Sequence, residues 1–373
     1  MTAVRDDGGA GMAGTPDQPQ AVLPTTVIGS YAVPEWLGQL RNDYHQRRIS
    51  GKYLNEIIEM ATKAAVLDQE RAGIDIVSDG ELRRDNDTDY LLTRIPGIEI
   101  PRRAKTDYLD YFEARISRPL PEPVAGPDCR PGPAPRAAPG PGPDFDPGLG
   151  LAEDFRFARQ LTDKPLKMSM TGPFSLSRRI TGSAYSDPAD LVRALARHLA
   201  AEARRLADAG ARLLQIDEPF LAGYPEDIAL AVEAINTITD VPGVSWVLHV
   251  CYGNRYARPL GASHYDFLFP WVKETKIDLL ALEFARQGDE DLRLLELHQW
   301  DRGLGLGSVD VKSDRVEAQD EVAGRIRRAL RYVPADKLVI NPDCGLRRMR
   351  PETARAKLAV MVAAAAQVRA ELG

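Results

Sequence analysis

Cysteine and histidine are both scarce in this chain of 373 residues, which contains three cysteines and five histidines. Three cysteines cannot form a closed disulfide framework, so a scaffold held together by disulfides is excluded. In a chain of this length the cysteines are expected to be free or bound to a metal, as in a reducing cytosol.

Long apolar runs and a large excess of one charge are also missing. No apolar run approaches the roughly 18 residues that a membrane-spanning helix needs. The formal net charge is −6 with both signs interspersed, so neither a nucleic acid nor a membrane surface is expected as a partner. The first residues lack a charged start followed by an apolar stretch, so we expect no signal peptide and a cytoplasmic protein.

Two segments have compositions that disfavour regular structure. Residues 1–22 are rich in Gly, Ala, Asp and Gln without periodicity, which predicts a disordered leader. Residues 117–150 contain eleven prolines among many glycines, which excludes a helix or a central strand and predicts a flexible insertion. We expect this insertion to be a passive linker and its Cys129 to have no role. Residues 23–373 are then expected to form one domain.

The rest of the chain alternates between short apolar runs and longer amphipathic stretches, such as residues 187–210 and 314–333, which are predicted helices. Eight apolar runs are predicted strands: residues 25–30, 74–80, 166–172, 213–219, 244–253, 279–285, 304–311 and 338–345. Apolar strands that alternate with helices indicate a parallel sheet. Eight such units predict the α/β class and a (β/α)8 TIM barrel, with the insertion between strands two and three. The alternative is a doubly wound open sheet.

Polar residues follow every predicted strand, and in such barrels the C-terminal ends of the strands form the active site. In strand order they are Ser30, then Asp79 and Glu81, Thr171, Asp217 and Glu218, His249 and Cys251, Glu283, Asp310 and Lys312, and finally Asp343 and Cys344. His249 and Cys251 lie two residues apart, so in a strand their side chains point to the same side. If the barrel is right, all of these groups meet at one mouth.

His249, Cys251, Glu283 and Cys344 form a borderline-soft ligand set that suits zinc. Two alternatives remain open at this point. His249 could be a hydrogen-bonded core histidine with the cysteines as small core hydrophobes, or the four residues could form a purely structural zinc site.

The chain resembles the C-terminal catalytic barrel of cobalamin-independent methionine synthase and its short, single-barrel relatives. The segments that carry the resemblance are TTVIGSY, DGELRRDN, MTGPFSL, QIDEP, HVCYGN, LEF, SVDVKS and NPDCGL, between residue 24 and about residue 350. The resemblance implies a zinc ion bound by His249, Cys251, Glu283 and Cys344. Zinc would hold the substrate thiol as a thiolate that attacks a methyl carbon, and Glu283 would be the ligand that yields to this thiol.

The thiol in that family is homocysteine. The resemblance assigns its amine and carboxylate to the turn from Ile28 to Ser30, to Glu81 and to Asp217. Glu283, Asp217 and Lys312 are then the expected catalytic residues. Arg83 and Arg84 are expected to be solvated surface charges.

The methyl donor is where this sequence departs from the folate-using members of the family. Those members have a second barrel, a histidine where this chain has Lys312, and a tryptophan after the TGP segment, where this chain has FSLSRRI. We therefore expect a corrinoid, a corrinoid protein or another methyl donor rather than methyl-folate.

Three other functions remain as alternatives. One is a zinc-dependent transferase that joins a different thiol to an epoxide or another alkyl group, as in epoxyalkane–coenzyme M transferases. Another is a metal-free lyase similar to uroporphyrinogen decarboxylase, and the last is a zinc-binding scaffold without enzymatic activity.

Overall fold

The computed structural model describes residues 22–101, 105–123, 148–253 and 264–373. Apart from Val22, the predicted leader lies outside the described residues, as do the middle of the predicted insertion and Cys129. The expectations for those segments stay predictions.

Seven parallel strands form the central sheet. In sheet order they are β1 (Val77–Ser78), β3 (Leu166–Thr171), β5 (Leu213–Asp217), β6 (Ser245–Val250), β7 (Leu279–Leu282), β8 (Gly303–Gly307) and β9 (Leu338–Asn341). Two short strands, β2 (Ala114–Arg115) and β4 (Ile180–Gly182), pair with each other in a separate sheet. The seven central strands coincide with the second to eighth predicted strands.

The predicted first strand is reduced to two bridging residues, Thr25 and Thr26, and these close the sheet. Thr25 bridges Ile340 of β9, and Thr26 bridges Ile76, the residue before β1. The Thr26 N–H donates to the Ile340 carbonyl at 2.8 Å, and the Ile76 N–H donates to the Thr25 carbonyl at 3.0 Å. Because both edges of the sheet are joined in this way, the (β/α)8 barrel is confirmed and the open doubly wound sheet is wrong.

Helices surround the sheet. Those in the described residues are α1 (Glu35–His45), α2 (Gly51–Arg71), α3 (Asp89–Leu92), α4 (Leu151–Arg159), α5 (Pro173–Ser177), α6 (Pro188–Asp208), α7 (Ile228–Ile238), α8 (Arg293–Leu297), α9 (Gln319–Ala329) and α10 (Pro351–Leu372). The predicted helix at 187–210 is confirmed as α6, whose N-cap Asp187 accepts the Ala189 N–H.

The predicted helix at 314–333 begins later than expected, at Gln319 of α9. Glu317 accepts the Asp310 N–H at 2.8 Å and pairs with Lys357 of α10 at 2.8 Å. These tertiary contacts hold the stretch before α9 outside the helix, although its local pattern is helical.

Alternate residues of the strands face the helices and the barrel interior. On β3, Met168 and Met170 face the helices and are completely buried. A small apolar cluster occupies part of the interior, and it consists of Ile28, Val247, Leu279, Ala281 and Val339. Most of these residues precede the strand ends, so this apolar packing lies below the polar mouth.

Both described ends of the insertion are attached to the flank of α6 or to the β4–α6 connection. Before the gap, the Leu120 N–H donates to the Tyr185 hydroxyl at 2.9 Å, and Glu122 pairs with Arg197 at 3.1 Å. After the gap, the buried Glu202 carboxylate accepts three backbone N–H groups, those of Leu149, Leu151 and Ala152, at 2.8–3.2 Å.

The described helices do not combine the length and the apolar character that a membrane span requires. Within the described ranges, even α2, α6 and α10, the longest helices, carry too many charges or too little apolar surface to cross a bilayer.

We expect residues 124–147 to be dispensable for folding. Arg197 and Glu202 are close in sequence on α6, so the two ends lie on one stretch of helix, and a Gly/Ser linker of about six residues can span it. Replacing 124–147 with such a linker should leave the urea unfolding midpoint unchanged. A lower midpoint would contradict the passive role.

The matched variant for comparison is Glu202→Gln, at the residue of α6 that holds the end of the insertion. This single substitution should destabilise the protein. The glutamine amide would place a donor against backbone donors, which costs about 1–3 kcal/mol in the free energy of unfolding. Urea unfolding of the linker variant and of Glu202→Gln, measured side by side, checks both expectations.

Candidate metal centre and active site

His249, Cys251 and Cys344 lie together at the mouth of the barrel. One ligating atom of each residue lies within 4.8 Å of the ligating atoms of the other two. His249 is the penultimate residue of β6, and Cys251 follows that strand on the same side. Cys344 arrives from the end of β9, and the structure describes both cysteines as buried and without a disulfide.

The orientation of the His249 ring leaves one nitrogen without a partner. Nδ1 lies 3.2 Å from the Ala281 carbonyl oxygen, and a carbonyl only accepts, so Nδ1 carries the proton. Nε2 is buried and makes no hydrogen bond to any of the described residues. A hydrogen-bonded core histidine would have both nitrogens satisfied, whereas a buried Nε2 that meets no hydrogen-bond partner and lies beside two thiols fits a metal ion.

Glu283 is near this group but is held by another partner. Both of its carboxylate oxygens accept from Lys312 Nζ, at 2.9 and 2.7 Å, and both side chains are almost fully buried. Its backbone N–H donates to the Tyr265 hydroxyl at 2.9 Å. The structure therefore brings together three of the four predicted ligands and places the fourth in an ion pair with Lys312.

A cavity of about 220 Å³ opens beside the His249 group. Its walls include seven of the predicted site residues: Ile28, Ser30, Glu81, Asp217, His249, Cys251 and Cys344. Glu283 and Lys312 lie behind this wall. The predicted substrate residues and three of the four predicted metal ligands thus line one small cavity.

Glu81 is held in place by a ring of donors. Its carboxylate accepts from Ser169 Oγ at 2.5 Å and from Arg347 Nη2 at 2.9 Å, with Arg84 at 3.7 Å. Burial opposes ionisation, but the two arginines outweigh it and lower the pKa of Glu81. The carboxylate comes so close to Gly29 that a Cβ there would lie 2.3 Å from Oε1.

Asp217 and Glu218 are adjacent in sequence but serve different purposes. Glu218 accepts the N–H groups of Phe174 and Ser175 at 3.1 and 2.8 Å, so it caps α5. It lies so near Gly172 that a Cβ there would meet its Oε1 at 2.1 Å. Asp217 instead lines the cavity, and burial raises its pKa to about 7 against the opposing effect of His249.

Asp343 is a second strand-end acid with a structural task. Its Oδ1 accepts the N–H groups of Phe284 and Ala285 at 3.0 and 2.8 Å, and its Oδ2 accepts that of Arg286 at 2.9 Å. These are the three residues after Glu283, so Asp343 fixes the loop that carries this predicted ligand.

The expectation for Arg84 was wrong. Its side chain is 2% exposed and lies 3.7–4.0 Å from the carboxylates of Glu81 and Asp79. The sequence shows only adjacent charges in DGELRRDN, and the backbone of Glu81, with φ of 55°, turns Arg84 inward. Arg83 is also partly covered, since its guanidinium lies over the Phe157 ring.

Several cavity residues were not predicted from the sequence. They are Asn86, Asp87, Leu109, Tyr111, Arg179, Pro219, Phe220, Gly253, Gly345, Arg347 and Arg348, together with Thr171, which was noted only as a strand end. Arg347 could have been found, because it lies three residues after Cys344 in the NPDCGLRR segment. Tyr111 and Leu109 come from the irregular stretch before β2, where no pattern marks them.

The sheet closes into a (β/α)8 barrel, and an imidazole, two thiols and buried acids lie together at its mouth. The protein is therefore classed as a (β/α)8 barrel with a candidate catalytic metal centre. The model of the family described as the catalytic domain of cobalamin-independent synthase matches residues 23–131 and 151–367. The chain belongs to this family, which confirms the resemblance.

Named relatives agree with the family. The methionine synthase of Saccharolobus solfataricus is 33% identical over 353 residues, which cover 94% of this chain and 96% of that protein. The methionine synthase of Thermococcus kodakarensis is 33% identical over 357 residues, with 94% and 95% covered.

Solved structures share the fold. A B12-independent methionine synthase from Shewanella sp. W3-18-1, in complex with selenomethionine, superposes with a TM-score of 0.77 at 26% identity, covering 94% of this chain and 99% of that one. A methyltransferase from Methanosarcina mazei has a TM-score of 0.59 at 16% identity, covering 94% and 95%, and supports the fold alone.

The division of labour between Asp217 and Glu218 can be tested by stability. At pH 8, above the pKa of about 7 that burial gives Glu218, the cap is an ionised acceptor. Glu218→Gln should therefore lower the free energy of unfolding by about 1–3 kcal/mol, because an amide donor faces backbone donors. Asp217→Asn is the matched control and should cost less than about 1 kcal/mol. Equal losses in urea unfolding would contradict the assignment.

Proposed function

We propose that the protein is a zinc-dependent thiol S-methyltransferase that converts homocysteine to methionine. The observation that carries the proposal is the buried, unpartnered Nε2 of His249 beside the thiols of Cys251 and Cys344. The proposed ligands are His249, Cys251, Cys344 and Glu283, a set of nitrogen, sulfur and oxygen donors that suits zinc.

Zinc would supply a substrate thiolate at neutral pH, where a free thiol with a pKa of about 8.5 is mostly protonated. Glu283 is the proposed exchangeable ligand. Its ion pair with Lys312 supports this role, because Glu283 would have a buried counter-ion at hydrogen-bond distance whenever it is not bound to the metal. Lys312 is thus proposed to act on catalysis through Glu283.

The substrate would be clamped by the walls of the cavity. Glu81 and Asp217 provide carboxylates for an ammonium group, and Ser30 with the backbone N–H groups of its turn suits a carboxylate. The selenomethionine complex of the Shewanella relative supports an amino acid of this size and type as ligand.

The donor proposed here is a corrinoid, a corrinoid protein or another methyl carrier rather than methyl-folate. The support is the sequence itself, in which Lys312 replaces a histidine and no tryptophan follows the TGP segment. A cytoplasmic setting is part of the proposal, because Cys251 and Cys344 must stay reduced to bind zinc.

The other functions are not favoured. Epoxide alkylation, a metal-free lyase and a zinc-binding scaffold find no counterpart in the relatives described above, and the unpartnered Nε2 argues against a site that needs no metal.

Zinc content is the first test. Wild-type protein purified with zinc should contain about one zinc per chain, and Cys251→Ala or Cys344→Ala should lose most of it, because each removes a thiolate. The control is Cys129→Ala, the third cysteine, which should keep full zinc content. Zinc retained by both site variants, measured by elemental analysis, would contradict the metal assignment.

The donor and the thiol are tested together by methyl transfer. We expect methionine from homocysteine and methylcobalamin at a rate at least about tenfold above that with methyl-folate, since the pterin-stacking tryptophan is missing. Mass spectrometry of the product, with Cys344→Ala as the inactive control, measures this. Faster transfer from methyl-folate would contradict the proposed donor. Methylation of other thiols but not of homocysteine would exclude homocysteine as the substrate.

A further inference from the structure

Lys167 is a buried base that none of the roles above uses. It faces the barrel interior from β3, is 2% exposed, and does not line the cavity. Among the described residues no carboxylate lies within ion-pair distance of its Nζ, which donates instead to Gln215 Oε1 at 2.6 Å. A lysine without a close counter-ion is costly to bury, so apolar packing alone would favour another residue here.

Gln215 on β5 links Lys167 to residues nearer the mouth of the barrel. It is completely buried, and its Nε2 donates to the Ile28 carbonyl at 2.7 Å and to Asp217 Oδ1 at 2.6 Å. A glutamine amide has nearly the same shape in both orientations, so packing does not select one. Hydrogen bonding does select one, because the Ile28 carbonyl only accepts and therefore requires the NH2 group at the upper end, which leaves the amide oxygen for Lys167 as its donor.

Both acceptors at the upper end belong to the cavity wall. Ile28 and Asp217 line the cavity, whereas Lys167 and Gln215 do not. The Ile28 carbonyl has two lone pairs and the Asp217 carboxylate has more, so each keeps acceptor capacity after binding Gln215. The two oxygens are therefore tied to one amide, and through it to Lys167.

We propose that Lys167 and Gln215 are positioning residues that hold the Asp217 carboxylate and the Ile28 carbonyl as joint acceptors for the ammonium group of an amino-acid thiol. The proposal rests on the proposed function, which already assigns the amine to this part of the wall, and adds the two residues that position its acceptors. It makes a prediction that a structural role for Lys167 does not make: removal of the lysine affects only thiols that carry an amine.

The test compares two thiols that differ only in the amine, homocysteine and 4-mercaptobutyrate, with wild type and Lys167→Met. Methionine has no donor for Gln215, so the buried amide oxygen loses the Lys167 hydrogen bond and the amide, held from one side only, can shift together with its two acceptors. We expect kcat/KM for homocysteine to fall about tenfold or more, mainly through KM, because a hydrogen bond to a charged group is misplaced. For 4-mercaptobutyrate the value should stay within about twofold of wild type.

Gln215→Leu should reproduce this pattern, since it cuts the same connection. Met168→Leu is the matched control: it is the neighbour of Lys167 on β3, is completely buried and faces the helices. This variant should leave kcat/KM unchanged for both thiols. Combining Lys167→Met with Asp217→Asn should give a smaller further loss for homocysteine than Lys167→Met gives alone, because both act on one acceptor.

Equal losses for both thiols would overturn the proposal and leave Lys167 with a structural role, and so would no loss for either. If wild type methylates neither thiol, the proposed function fails separately. Calorimetric binding of methionine and 4-(methylthio)butyrate then judges the inference. A preference for the amine that Lys167→Met abolishes would support it, and a preference that is absent or unchanged would overturn it.

Discussion

Closure of the sheet by Thr25 and Thr26 is the constraint on which the site depends. These residues join the first segment of the chain to β9 and to the start of β1. Beyond them, the Leu346 N–H donates to the Ser30 carbonyl at 2.8 Å, so the first strand end lies beside the last. An open sheet would leave Ile28 and Ser30 at one edge and Cys344 at the other, and the cavity would lose one side. The proposed amine-binding and thiol-binding groups would then no longer face each other.

Much of this arrangement could be predicted from the sequence because it follows from alternation and strand order. The side chains of His249 and Cys251 share a side by spacing alone, and Cys344 joins them once the strands are counted. The same reasoning could not separate Asp217 from Glu218, since it depends on a break in the strand at the residue that caps α5. Sequence reasoning also missed the burial of Arg84 and the ion pair between Arg347 and Glu81. Both depend on tertiary contacts that no local sequence pattern contains.

The polar interior is balanced by specific partners rather than by solvent. Glu81 is compensated by two arginines and a serine, Glu283 by Lys312, and Asp217 by Gln215 and the nearby His249. Only the first of these acids has its pKa lowered, while burial raises the pKa of the other two, to about 7 for Asp217 and about 8 for Glu283. A cationic ligand near Asp217 would therefore add a counter-charge where the barrel supplies the least.

At two strand ends, neighbouring residues in the sequence have different roles. At the end of β5, Asp217 faces the cavity while Glu218 caps α5, and after β9, Cys344 faces the cavity while Asp343 binds the loop that follows Glu283. In each pair one side chain faces the cavity and its neighbour accepts backbone N–H groups, so one residue is available for a ligand and the other supports a helix start or a loop. Glu218 fixes the start of α5, and Asp343 fixes the backbone that follows Glu283, the proposed fourth ligand. The density of polar residues in QIDEP and NPDCGL thus reflects two requirements, chemistry at the mouth and satisfied backbone N–H groups just behind it.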